Sequence, residues 1–195
     1  MSRTIMSRTI ILLSLILGIT VISAAVSAEE KEGEFYPTRY GMSITSGRTY
    51  DPTNNIDFYM VSGFILYDYK KVWKHEAPDQ LRFKVETSLG AAYDNDARFT
   101  GSVNIFALHY LDMFKSKTFK PYIEGGIGVI YTDFQVRGQG LRWNFNPQIG
   151  LGTEIKAGNN DTFFISVRAH HISNAGLDDE NRGVNSIMLM AGYYF

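Results

Sequence analysis

A histidine and a serine two residues apart, His171 and Ser173, sit where a strand-like run, Phe163-Phe164-Ile165-Ser166-Val167-Arg168, gives way to a loop from Asn174 to Gly183. Side chains two apart on a β-strand point to one face, so the imidazole and the hydroxyl share theirs with Phe163, Ile165 and Val167. A serine hydroxyl is a weak nucleophile, and a neighbouring imidazole activates it by taking its proton as it attacks an ester carbonyl. A third group on the far ring nitrogen holds the tautomer. Donors near the carbonyl oxygen stabilise the developing charge, and Asn174 with the amides of the Asn174-Ala175-Gly176 turn are candidates. His-x-Ser alone is weak evidence for a hydrolase. The weight comes from its setting, because polar side chains on a face otherwise turned to hydrocarbon are costly without a purpose.

The elements that must position this pair read as β-strands throughout. The chain has 195 residues, no cysteine and a formal net charge of -1, with 18 glycines, 5 prolines and 14% aromatics. Near-neutral charge gives no reason to expect a nucleic-acid partner. A mean hydropathy of -0.13 excludes a helical membrane bundle but not a membrane β-barrel, where only alternate residues meet lipid. Arg3 and Arg8 precede an apolar run, Ile10 to Ile22, and a small-residue stretch ending at Ala28. This is the pattern of a secretory leader over 1–28, with the mature domain over 29–195. Eight strand-like segments follow, at about 38–48, 56–69, 80–93, 98–111, 121–136, 142–156, 163–173 and 184–195. The last alternates apolar residues up to a terminal phenylalanine, Phe195, which resembles the C-terminal signature of outer-membrane barrels.

These features predict an all-β fold, an eight-stranded antiparallel transmembrane β-barrel behind an N-terminal signal peptide. A barrel of eight strands is filled by its own side chains, so a pore is not expected. Arg82, Lys84, Glu86, Glu124 and Arg168 fall on the inward face and are read as a paired polar core, since buried charges must be paired. With both termini periplasmic, the loops after strands one, three, five and seven face outward. His171 and Ser173 then lie near the outer end of strand seven on the lipid face. Strand eight puts Asn185 on the face of Ile187 and Leu189, where the three side chains can meet at the outer leaflet. The scattered histidines form no metal-ligand cluster, and neither metal nor cofactor is expected.

The run His171-Ile172-Ser173-Asn174-Ala175-Gly176, followed by Asn181-Arg182-Gly183 and the final apolar strand, resembles the lipid A 3-O-deacylase family, the PagL-type outer-membrane enzymes. Pro121 to Gly128 and Gln148 to Gly152 look similar too. The resemblance implies an eight-stranded barrel with its site on the outer wall, a metal-free esterase acting on lipid A of lipopolysaccharide. It puts the family's histidine and serine on His171 and Ser173 and its activity-critical asparagine on Asn174, with Gly176 in the same turn. The family's third triad member is a glutamate twelve residues after the serine, and here that position is Asn185. Three readings follow: Asn185 orients the histidine, a loop acid (Asp178, Asp179 or Glu180) does so, or the chain is a weak or inactive relative. Asn185 has the right strand parity and ranks first. The resemblance leaves monomer and homodimer both open. The rival function, from a different class, is a non-catalytic small barrel with a structural or adhesion role.

Overall fold

The computed structural model of the chain describes residues 38–53, 55–158 and 161–195. The leader expected over 1–28 lies outside them. Among the described residues nine antiparallel strands run in chain order: β1 (Arg39–Asp51), β2 (Asp57–Asp68), β3 (Leu81–Tyr93), β4 (Ala97–Tyr110), β5 (Phe119–Thr132), β6 (Trp143–Phe145), β7 (Gln148–Ala157), β8 (Asp161–Ile172) and β9 (Val184–Tyr194). Strands β6 and β7 form one stave. Phe145 faces Val129 and Gln148 faces Gly126, so the register is unbroken across Asn146-Pro147. Pro147 has no N–H to give the ladder, which is why the single sixth strand expected over 142–156 appears in two pieces. Pairing of β9 with β1 closes the sheet into a barrel of eight staves. Closure leaves no unpaired strand edge, the condition for a sheet to live in hydrocarbon.

Alternation along each strand sorts the side chains. Met42, Ile44, Val61, Leu89, Val103, Ile127, Ile149, Leu151, Ile165 and Leu189 stand exposed on the outer wall as an aliphatic belt. Aromatics flank it: Tyr40, Phe119, Phe163 and Phe195 at one rim, and Tyr50, Tyr93, Phe99 and Trp143 at the other. This is the girdled belt of a bilayer-spanning barrel. Ile165 is exposed on the outer wall and lies mid-strand opposite Thr153 and Ala191. Ile165→Arg is therefore expected to cost about 2–4 kcal/mol of unfolding free energy, measured by urea titration in lipid vesicles.

The interior is filled by packed side chains around a charged centre. Arg168 donates to Glu86 through both terminal nitrogens, at 2.7 and 2.9 Å, and to Glu124 at 2.8 Å through Nε. Lys84 binds the same two carboxylates. Two cations and two anions thus balance; Arg82, also expected in this cluster, is buried and donates to Leu81 O at 2.8 Å. A second group lies toward the rim of Tyr40 and Phe119, where Glu154 accepts from Arg39 at 2.9 Å and from the Tyr110 hydroxyl at 2.5 Å. The central cavity beside Arg168 holds about 20 Å³, room for roughly one water and no channel.

The connection after β2 is not a bare loop. It forms a short helix, α1 (Tyr69–Trp73), capped by the Asp68 carboxylate on Lys70 N–H. Trp73 packs edge-on against Phe83, and Val72 and Tyr69 join Tyr67, Phe83 and Val85. The outward residues Phe83 and Val85 are consequently buried under the helix rather than facing lipid.

Candidate active site

The site is built by the last turn of β8, the start of β9 and the end of β1. Strand β8 buries Phe164, Ser166, Arg168 and His170 and turns Phe163, Ile165, Val167 and His171 outward. Its neighbour His170 points into the barrel, with Nδ1 2.9 Å from Ser186 Oγ and its ring edge-on to Phe58. His171 and Ser173 are both half-buried on the outer side. Ser173 is fixed by two backbone bonds to Phe145, Ser173 N–H to Phe145 O at 3.0 Å and the reverse at 2.8 Å. β8 and β9 pair His171 directly with Asn185. Asn185 Oδ1 lies 2.6 Å from His171 Nδ1. His171 and Asn185 are thus in direct contact, and Ser173 follows two residues after His171 on the same side of the wall. No hydrogen bond joins Ser173 Oγ to the ring among the described residues. Such bonds are commonly long in unliganded enzymes and tighten around substrate.

Two further residues shape the site: Gly183, quoted above only as a loop end and as part of the family resemblance, and Asp51, which no motif marks. Gly183 is the floor beneath the imidazole: a Cβ there would stand 2.5 Å from His171 Cε1. Asp51 accepts from Asn185 Nδ2 at 2.9 Å and from Arg182 Nη2 at 2.7 Å. The strand expected over 38–48 stops short of Asp51, which left it in a polar loop with no assigned neighbour.

Asn174 is fully buried and organises the outer loops. Its Nδ2 donates to Glu180 O at 2.8 Å and Gln139 O at 3.3 Å, its N–H donates to Asn181 Oδ1 at 2.8 Å, and its Oδ1 accepts from Gly176 N–H at 2.9 Å. Ala175 and Gly176 both take positive φ, 54° and 78°, so the turn is tight and left-handed. Arg182 N–H to Gly138 O, at 2.6 Å, ties the loop over 173–183 to the loop over 133–142. Asp178 Oδ1 is held by Glu180 N–H within its own loop. Among the described residues there is no His/Cys/Asp/Glu cluster that would hold a metal ion.

A closed eight-stave barrel with an apolar belt, aromatic rims and a paired-charge interior defines an integral outer-membrane protein. A family model described as lipid A 3-O-deacylase (PagL) matches residues 47–194. The chain belongs to that family. It is 26% identical to the lipid A deacylase PagL of Bordetella bronchiseptica over 185 residues, covering 91% of this chain and 94% of that protein. It is 36% identical to the lipid A deacylase PagL of Pseudomonas aeruginosa over 85 residues, 43% of this chain and about half (48%) of that protein. The crystal structure of the outer membrane enzyme PagL superposes with a TM-score of 0.54 at 25% identity, over 78% of this chain and 97% of that one. Neisserial surface protein A gives a TM-score of 0.59 at 14% identity, over 80% and 95% of the two chains, a likeness of fold alone.

Proposed function

We propose that the protein is a serine esterase of the outer membrane that removes the 3-O-linked acyl chain of lipid A. The observation that carries the reading is the contact between Asn185 and His171 Nδ1 beside Ser173, on the lipid-facing side of the wall. The family membership supports it. In this reading Ser173 is the nucleophile and His171, through Nε2, its general base. Ser173 Oγ attacks the ester carbonyl as its proton passes to His171. The tetrahedral intermediate collapses, His171 returns the proton to the departing sugar hydroxyl, and an acyl-Ser173 ester remains. Water, activated by the same imidazole, then releases the fatty acid. Asn174 and Gly176 hold the turn that presents the oxyanion donor. Their own polar groups are engaged with one another, and the Ala175 N–H has no acceptor among the described residues, which makes it the donor of choice. The acyl chain runs along the outer wall, so the substrate arrives sideways within the leaflet. No metal or cofactor enters these steps.

Incubating the purified protein with lipopolysaccharide and weighing lipid A by mass spectrometry tests this. Loss of one 3-hydroxyacyl chain is the expected result. Unchanged lipid A would overturn the proposal in favour of the non-catalytic barrel. Gly183→Ala offers a second check. Its methyl group must push the imidazole aside, so kcat is expected to fall on the order of a hundredfold. The urea midpoint should hold, because the displaced ring lies on the outer surface rather than in the barrel interior.

A further inference from the structure

Asparagine in place of the family's glutamate leaves His171 with a neutral partner, and a neutral amide offers either of two faces. The amide that points its oxygen at Nδ1 requires the Nδ1–H tautomer and leaves Nε2 as a base. Flipped, it points N–H at Nδ1 and leaves the proton on Nε2, where it disables the base. Something must choose between them. Asp51 can only accept hydrogen bonds, and it lies 2.9 Å from Asn185 Nδ2. The Asn185 oxygen is thereby turned to His171, at 2.6 Å.

The backbone has been bent to make this contact. Thr49 pairs with Ser186, yet Asp51, not Tyr50, pairs with Asn185, so a β-bulge lies between them. Thr49 is buried inside the barrel beside the inward Ser186. Strict alternation from Thr49 would turn Asp51 inward as well. The extra residue instead brings it onto the outward side with Asn185, as bulges beside active sites commonly re-aim a side chain. Arg182 then grips the other carboxylate oxygen at 2.7 Å.

We propose that Asp51 is a positioning residue which, through Asn185, fixes His171 in the tautomer that serves Ser173 and supplies the negative charge the asparagine lacks. It rests on the serine-esterase reading. Asp51 does not touch substrate, and no proton crosses the amide. As His171 takes the Ser173 proton, the imidazolium faces a carbonyl oxygen polarised by the carboxylate behind it, a charge-assisted chain of hydrogen bonds.

The test compares Asp51→Asn, Asn185→Glu, their combination and Arg182→Gln in the full-length protein in detergent micelles. Asp51→Asn is expected to lower kcat about tenfold to a hundredfold, with KM nearly unchanged, the usual scale for a group behind the directly acting one. Asn185→Glu added to Asp51→Asn should bring kcat back to within a few-fold of wild type, since the carboxylate then meets the imidazole directly. Arg182→Gln should cost less than Asp51→Asn. The ¹⁵N spectrum of the His171 ring should report Nδ1–H in wild type and a shift toward Nε2–H in Asp51→Asn. An unchanged kcat and tautomer in Asp51→Asn, failure of the rescue, or an equal loss in Arg182→Gln would each overturn the proposal. An inactive wild type would sink the esterase reading instead, and the two ring spectra would still decide the role of Asp51 in setting the tautomer.

Discussion

Ser173→Ala is expected to lower deacylation of lipopolysaccharide at least a thousandfold, read as 3-hydroxy fatty acid released per hour. Three decades of rate correspond to about 4 kcal/mol of lost transition-state stabilisation. In the proposed mechanism the Ser173 oxygen is the atom of the trio that bonds to the acyl group, and without it the remaining donors can stabilise only a direct attack by water. His171→Ala should cost a similar factor, because Ser173 left without a base reverts to an ordinary alcohol. The double variant should be no worse than either single one, since nucleophile and base act as a unit. Folding should be unaffected. The two bonds between Ser173 and Phe145 are made by backbone atoms and survive truncation. A Ser173→Ala protein that kept a tenth of the activity would remove the residue from the mechanism.

Arg168→Met should be the most damaging single change to stability, at about 3–5 kcal/mol, the cost of breaking a buried ion pair from one side. Arg168 is almost completely buried and serves both Glu86 and Glu124. Without it two carboxylates share Lys84 beside a cavity with room for about one water. The unfolding midpoint in urea, followed by tryptophan fluorescence or the gel shift between folded and unfolded barrel, measures the loss. Glu86→Gln in the same chain restores the charge balance and should recover part of it. A double-mutant cycle then separates the pairwise coupling from the cost of each truncation. Equal losses in the single and double variants would show that packing, not charge, holds the centre together.

Much of this fold can be read from alternation. The period of two in Leu81 to Glu86 and in Ile187 to Phe195 places the inward charges and the lipid-facing residues, and parity alone puts His171, Ser173 and Asn185 on one wall. What escapes is whatever breaks the period. Pro147 splits a stave while keeping its register, which only the pairing partners reveal. Helix α1 covers Phe83 and Val85, side chains that strict alternation gives to lipid. Asp51 is hidden most thoroughly, because a bulge reverses the face on which counting would place it. The roles of Asn174 likewise depend on carbonyls at Gln139 and Glu180, far away along the chain or masked by an exposed loop.

The ladder between β1 and β9 joins the earliest described strand to the last, and it is the zip that finishes the cylinder. Asp51 stands on one side of that zip, while Asn185 and His171 stand on the other. The contact between Asp51 and Asn185 therefore exists only once these two lips have met. On the proposed reading, cleavage of lipid then waits for the closed cylinder.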